Sequence, residues 1–501
     1  MRVKINKNEA WWGIFSDRGH EMPYGSTSNV SIPMSATDSG TFFMVSNQGR
    51  YIYDDIQHDI EIKNGVISFD GTAELADGFG NLRNAYRAAA GRHFLSDGKI
   101  PNERFFTSVQ YNTWIELMYN QNQTDILNYA HSIVDNGMKP GILMIDEGWA
   151  DDYGIFEFSR AKFENPRAMT DELHALGFKV MLWVVPLISP DSNTFRELRN
   201  TDILLRDKDG EIAVRKWWNG YSAVLDLSCK NAVEWFCAKL DECMNRFGAD
   251  GFKFDSGDSY LYREDDRAAK GGKPLYFTGL YNKLGERYEY NEFRAAWNVR
   301  GNACVCRLQD KAPSWGTDGL AALIPDMLVQ GLVGSFFGCP DMIGGGAYGN
   351  FLNGYKTDEE LYIRWLEASA LMPMMQFSIA PWRILSPENM KIVKKYAALH
   401  EQYGDYFVRL AKTAAQTHEP IMRSLEYMFP GEGFERTNDC FMLGERLLVA
   451  PVLEKGKRER TLVLPRGKWK HCGKLLDGGR EHTVAAELDF LPVFERAEER
   501  N

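Results

Sequence analysis

Between residues 101 and about 416 the chain alternates short apolar runs with helix-length amphipathic segments, and this rhythm narrows the fold more than any other feature. The runs are Phe106–Tyr111, Gly141–Ile145, Phe178–Val185, Ala223–Leu227, Gly251–Phe254, Ala303–Leu308, Leu332–Phe337 and Met372–Phe377. Helical stretches near 122–136, 167–176 and about 230–247, with another starting near Ser192, lie between them. Near-continuous apolar strands with crossover-length connections predict a parallel sheet covered by helices. Eight such units over roughly 300 residues fit an α/β fold of the (β/α)8 TIM-barrel type better than an open sheet.

The flanks read differently. Gly40–Ser46, Arg50–Tyr53 and Ile60–Ile67, the last with Asn64-Gly65 as a hairpin signal, predict β structure over the first hundred residues. Leu443–Val452, Arg460–Leu464 and a turn at 465–469 predict a small C-terminal β-sandwich. The expected division is a β-sandwich-like N-terminal domain at 1–100, a barrel at 101–416 and the sandwich at 417–501.

Composition excludes several functions. A net charge of -11, from 58 Lys+Arg against 69 Asp+Glu, argues against a nucleic acid or an anionic membrane as partner. The longest apolar stretches, such as 180–188, are about half of a bilayer span, and the start lacks a signal-like apolar segment. The eight cysteines form no CxxC pair, which predicts reduced thiols and a cytoplasmic setting. No HExxH or GxxxxGK[ST] motif occurs and the nine histidines are dispersed, so neither a metal nor another cofactor is expected. The sequence leaves room for a homo-oligomer.

Barrel chemistry sits at the C-terminal ends of the strands. There Ile142–Ile145 runs into Asp146, Gly251–Phe254 into Asp255, and 336–340 into Asp341, while Trp183 ends another run. Any one such aspartate could simply cap a turn. Three of them, with Trp149, Trp183, Trp218 and Trp315 nearby, suggest a neutral polyhydroxylated substrate. Carboxylates accept hydrogen bonds from hydroxyls, and indole faces pack on the C–H side of a sugar ring. Glycoside hydrolysis, which pairs an ionised carboxylate with a protonated one, is the reaction that fits.

Ordered motifs give this reading a family. GADGFKFDSGD (248–258), RLQDKAPSWGTDGL (307–320), CPDMIGGG (339–346) and the stretch 441–469 resemble glycoside hydrolase family 31. Within it, the segments 146–186 and 364–382 are similar to the subgroup of α-galactosidases and myogenesis-regulating glycosidase. The resemblance implies a retaining, exo-acting α-glycosidase, an α-galactosidase in particular, acting without a cofactor on a small α-glycoside or oligosaccharide. An α-glucosidase or α-xylosidase of the same fold and a catalytically inactive sugar-binding protein are the alternatives.

The resemblance makes Asp255 the nucleophile, and Lys253 and Arg307 are candidates to keep it ionised. It makes Asp318, after Trp315, the general acid/base, with Asp310 as the rival and Asp326 a weaker one. Asp258 is a supporting carboxylate. Asp146 and Asp341 would bind hydroxyls, Trp149, Trp183 and Trp218 would wall the pocket, and His174 reads as structural. The α-glucosidases carry an arginine and a histidine that bind the sugar. The matching positions here are Gln376 and Ser378, which points away from glucose.

Overall fold

A computed structural model of the chain describes residues 1–352 and 354–497. The last residues of the expected sandwich, 498–501, lie outside the described residues.

The centre is a parallel barrel of eight strands: β1 (Gln110–Asn112), β2 (Ile142–Ile145), β3 (Lys179–Val184), β4 (Gly251–Phe254), β5 (Tyr290–Phe293), β6 (Val305–Arg307), β7 (Gly338–Cys339) and β8 (Gln376–Phe377). They neighbour one another in chain order from β1 to β7, and β8 pairs with β1. The barrel nearly closes between β7 and β8, where the Ile343 N–H donates to the Gln376 carbonyl at 2.9 Å.

Local chemistry explains the crossovers. The helix Gln123–Asp135 starts where the Asn122 side chain accepts from the Asp125 N–H, and it buries Ile126, Tyr129, Ala130 and Ile133. Pro166–Leu176 has an Asn165 cap, proline at its first position and left-handed Gly177 at its end. Lys230–Phe247 buries Phe236, Cys237, Leu240 and Cys243 and stops at left-handed Gly248, which turns the chain into β4.

Two strand expectations need correction. Ala223–Leu227 is not a barrel strand. Its first residues belong to Gly220–Val224, which pairs antiparallel with Val214–Trp217 and Leu187–Ile188 in an insertion after β3. Leu332–Phe337 is the end of the helix Leu323–Leu332 and a turn, and β7 follows it at 338–339. The true fifth strand is Tyr290–Phe293, whose sequence YNEF lacks an apolar run. Its Glu292 sits inside the barrel and accepts from Gln376 Nε2 at 2.7 Å, with Arg307 Nε at 3.4 Å. A polar network thus replaces the apolar side chains that would have revealed the strand.

The N-terminal residues build two sheets. One contains the strands 2–4, 66–68, 60–63 and 30–32; the other is built around Ser39–Ser46. Ala296–Trp297 of the barrel pairs in parallel with Ser39–Gly40, so the second sheet docks directly beside the end of β5. After the helices Asn389–Gln402 and Gly404–Thr417, the C-terminal strands form one six-stranded and one two-stranded antiparallel sheet. All eight cysteines are unpaired, and Cys472 alone is exposed. Among the described residues no helix is long and apolar enough to cross a membrane.

Candidate active site

A cavity of about 430 Å³ opens at the C-terminal ends of the barrel strands. Asp146, Glu147, Lys253, Asp255, Asp258, Arg294 and Asp310 line it, with Trp114, Tyr119, Trp218, Tyr260 and Tyr348 around them. This is a small-molecule site with convergent polar groups.

Strand alternation sets the floor. Phe254 of β4 stacks on Phe293 of β5 at 4.8 Å, on the helix-facing side. Lys253 and Asp255 then point the other way. Lys253 is buried and donates to Asp146 Oδ2 at 2.6 Å. Asp255 is gripped on both oxygens: Arg294 Nε donates to Oδ1 and Trp183 Nε1 to Oδ2, at 2.7 and 2.9 Å. The Ser256 N–H adds a third bond to Oδ1 at 2.8 Å. Burial alone would raise the pKa of this carboxyl. Arg294 foremost, then Lys253 and Arg307, outweigh burial and hold it well below the usual carboxylate range. Asp255 is therefore an ionised carboxylate positioned without freedom to turn.

Arg294 is the residue that the sequence reading missed. Besides Asp255 it holds Asp258 through Nη2 and Gln309 through Nη1, each at 2.7 Å. It follows β5 directly, so recognising that strand would have exposed it. Asp38 also reaches the cavity, from the N-terminal sheet, and accepts from the Ser259 N–H at 3.0 Å. Burial pushes Asp258 above the ordinary carboxylate range despite Arg294, with Asp38 and Asp255 adding to the rise. Replacing Arg294 with methionine should lower kcat/KM at least about a hundredfold, roughly 2.7 kcal/mol. Because Arg294 lowers the pKa of Asp255, its removal should also move the acidic limb of the pH–rate profile to higher pH. A pH series of initial rates on the variant measures both.

The other expected residues divide. Asp146, Lys253 and Trp218 line the cavity, as does Asp310, whose side chain is 36% exposed and lies 2.9 Å from Arg307 Nη1. Asp318 is exposed, bonds Ser314 Oγ, and does not belong to the cavity wall. Trp315 donates to Asp358 at 3.3 Å, away from the wall. Asp341 is fully buried, pairs with Arg307 at 2.8 Å and accepts from the N–H groups of Lys311, Met342 and Gly346. It ties the loop after β7 to the loop after β6. Gln376 and Arg307 lie beneath the floor in the Glu292 network. Trp149 donates to the Trp183 carbonyl at 2.8 Å, and both tryptophans line a second cavity of about 230 Å³ next to the first. Asp326 is buried and bonds Lys311 Nζ at 2.6 Å. His174 bonds Asp250 at 2.7 Å on the outer helix layer.

At the end of β4 a clamped carboxylate thus stands among further carboxylates and aromatic side chains. Comparison with known proteins gives the family. Residues 105–410 match the glycosyl hydrolases family 31 TIM-barrel domain, and residues 418–499 match the C-terminal domain of that family. The chain belongs to glycoside hydrolase family 31.

Myogenesis-regulating glycosidase of Mus musculus is 36% identical over 77% of this chain and 55% of its own length. Alpha-glucosidase 2 of Bacillus thermoamyloliquefaciens is 24% identical over 75% of the chain and 50% of its own. The chain thus spans about half the length of these curated relatives. In fold it is similar to a Flavobacterium johnsoniae GH31 dextranase mutant complexed with isomaltotriose, with a TM-score of 0.84 at 20% identity, covering 99% of this chain and 66% of that one.

Proposed function

We propose that the protein hydrolyses an α-glycoside with retention, using Asp255 as nucleophile and Asp310 as general acid/base. The observation that carries this is the double grip of Arg294 and Trp183 on Asp255, beside a cavity that Asp310 also lines. Asp255 attacks the anomeric carbon while Asp310 gives its proton to the departing glycosidic oxygen. A glycosyl ester forms on Asp255. Asp310, now a carboxylate, takes a proton from water as the water attacks the same carbon, and the ester bond to Asp255 breaks. Two inversions leave the configuration unchanged. The family resemblance implies Asp318 as acid/base, and it stands as the alternative; Asp310 is preferred in this proposal because the Asp318 side chain is exposed and does not line the cavity.

The substrate in this reading is a terminal α-galactoside. Support comes from Gln376, a neutral amide committed to Glu292 at the position where the α-glucosidases carry a sugar-binding arginine. Galactose and glucose differ in the orientation of one hydroxyl, and a polar pocket built for one orientation leaves groups unpaired with the other. A cytoplasmic location accords with the eight unpaired thiols.

Matched 4-nitrophenyl α-galactoside and α-glucoside test the sugar. The expected kcat/KM ratio is at least about tenfold in favour of the galactoside, roughly 1.4 kcal/mol. Equal rates or a preference for the glucoside would overturn the galactose assignment alone.

A further inference from the structure

Three donors converge on the carboxylate of Glu147, the residue after Asp146. The Tyr153 hydroxyl donates to Oε1 at 2.6 Å, Asn219 Nδ2 donates to the same oxygen, and the Trp218 indole N–H donates to Oε2 at 3.3 Å. Asn219 is tied further, through Nδ2 to the Tyr153 hydroxyl at 2.8 Å and through Oδ1 to the Tyr119 hydroxyl at 3.0 Å.

Trp218 and Asn219 form the two-residue turn of the hairpin inserted after β3, between the paired residues Trp217 and Gly220. The hairpin's base is secured by packing: Trp217 and Val224 are buried with Trp183, Leu187 and Leu205 in a separate small core. Its tip is covered less, the Trp218 ring meeting that of Trp217 with centroids 4.7 Å apart. Trp218 is 45% exposed, yet it lines the catalytic cavity and stands over the Arg294 guanidinium at 5.2 Å. An exposed indole at a turn would sample several orientations, and ordering it on substrate binding would cost affinity. The bonds to Glu147 remove that freedom beforehand.

We propose that Glu147 is a positioning residue that latches the 214–224 hairpin across the cavity mouth and so fixes Trp218 as the stacking wall for the substrate sugar. The proposal deepens the glycosidase reading and rests on it for the substrate. Glutamine at 147 can accept from Tyr153 and Asn219 or from Trp218, but not from all three, because one end of the amide is a donor.

Kinetics on a glycoside that the wild type cleaves form the first arm of the test. Glu147→Gln and Trp218→Ala should each raise KM at least about tenfold while kcat stays within about threefold. The double variant should be no worse than Trp218→Ala, because Glu147 acts through Trp218. Tyr153→Phe, which keeps the carboxylate and removes one anchor, should move KM in the same direction by less. Additive effects, a loss confined to kcat, or an unchanged KM in Glu147→Gln would overturn the latch.

The second arm needs no substrate. Exposed Lys216 lies in the paired strand Val214–Trp217, so trypsin should cut after it slowly in the wild type. Cleavage there should be at least about tenfold faster in folded Glu147→Gln, and an unchanged rate overturns the proposal. A wild type that cleaves no glycoside but shows this difference would refute the glycosidase reading and leave the latch standing.

Discussion

Asp255→Ala should lose at least about a thousandfold in kcat, a little over 4 kcal/mol of transition-state stabilisation. The variant has no oxygen to form the glycosyl ester, so the double displacement cannot start. The fold should survive, because Arg294 keeps its bonds to Asp258 and Gln309 and Trp183 stays packed in its own cluster. A small anion such as azide can enter the space left by the carboxylate and attack from the same face. Partial recovery with a β-configured glycosyl azide is therefore expected. Steady-state rates with and without azide, with product configuration read by NMR, measure both effects.

The second large effect separates the two candidate acids. Asp310→Ala should lower kcat/KM at least about a hundredfold for a glycoside with a poor leaving group and only slightly for 2,4-dinitrophenyl glycosides. An activated leaving group departs without protonation. Asp318→Ala should stay within about threefold on both substrates, since that side chain is exposed and does not line the cavity. A leaving-group dependence in Asp318→Ala with none in Asp310→Ala would return the role to Asp318. Rates across a series of leaving groups decide between them.

The strands that could be read from the sequence were the ones with apolar runs. β2, β3 and β4 have them, and their ends place Asp146, Trp183 and Asp255. β5 escaped because it carries Glu292 inside the barrel and presents no apolar run, while the apolar hairpin strand Gly220–Val224 took its place in the count. That exchange had a functional cost, since Arg294 follows β5. Asp341 ends a strand as expected, but its oxygens are occupied by Arg307 and three backbone N–H groups. Position at a strand end does not reveal whether a carboxylate faces the cavity or ties a loop. Asp38 is the extreme case: it lies more than two hundred residues before Asp255 in the chain, and only the pairing of Ser39–Gly40 with Ala296–Trp297 brings it to the site.

In the proposed double displacement Asp255 becomes covalently linked to the sugar. Incubating the enzyme with 5-fluoro-α-galactosyl fluoride and digesting it for mass spectrometry tests this most directly. Fluorine at C5 slows both formation and hydrolysis of the ester, while the good fluoride leaving group speeds formation alone, so the intermediate should accumulate. One added fluorogalactosyl group is expected on the peptide containing Asp255, absent from Asp255→Ala. The same mass on Asp310, Asp258 or Asp146, or turnover with no covalent adduct and inverted product, would contradict it.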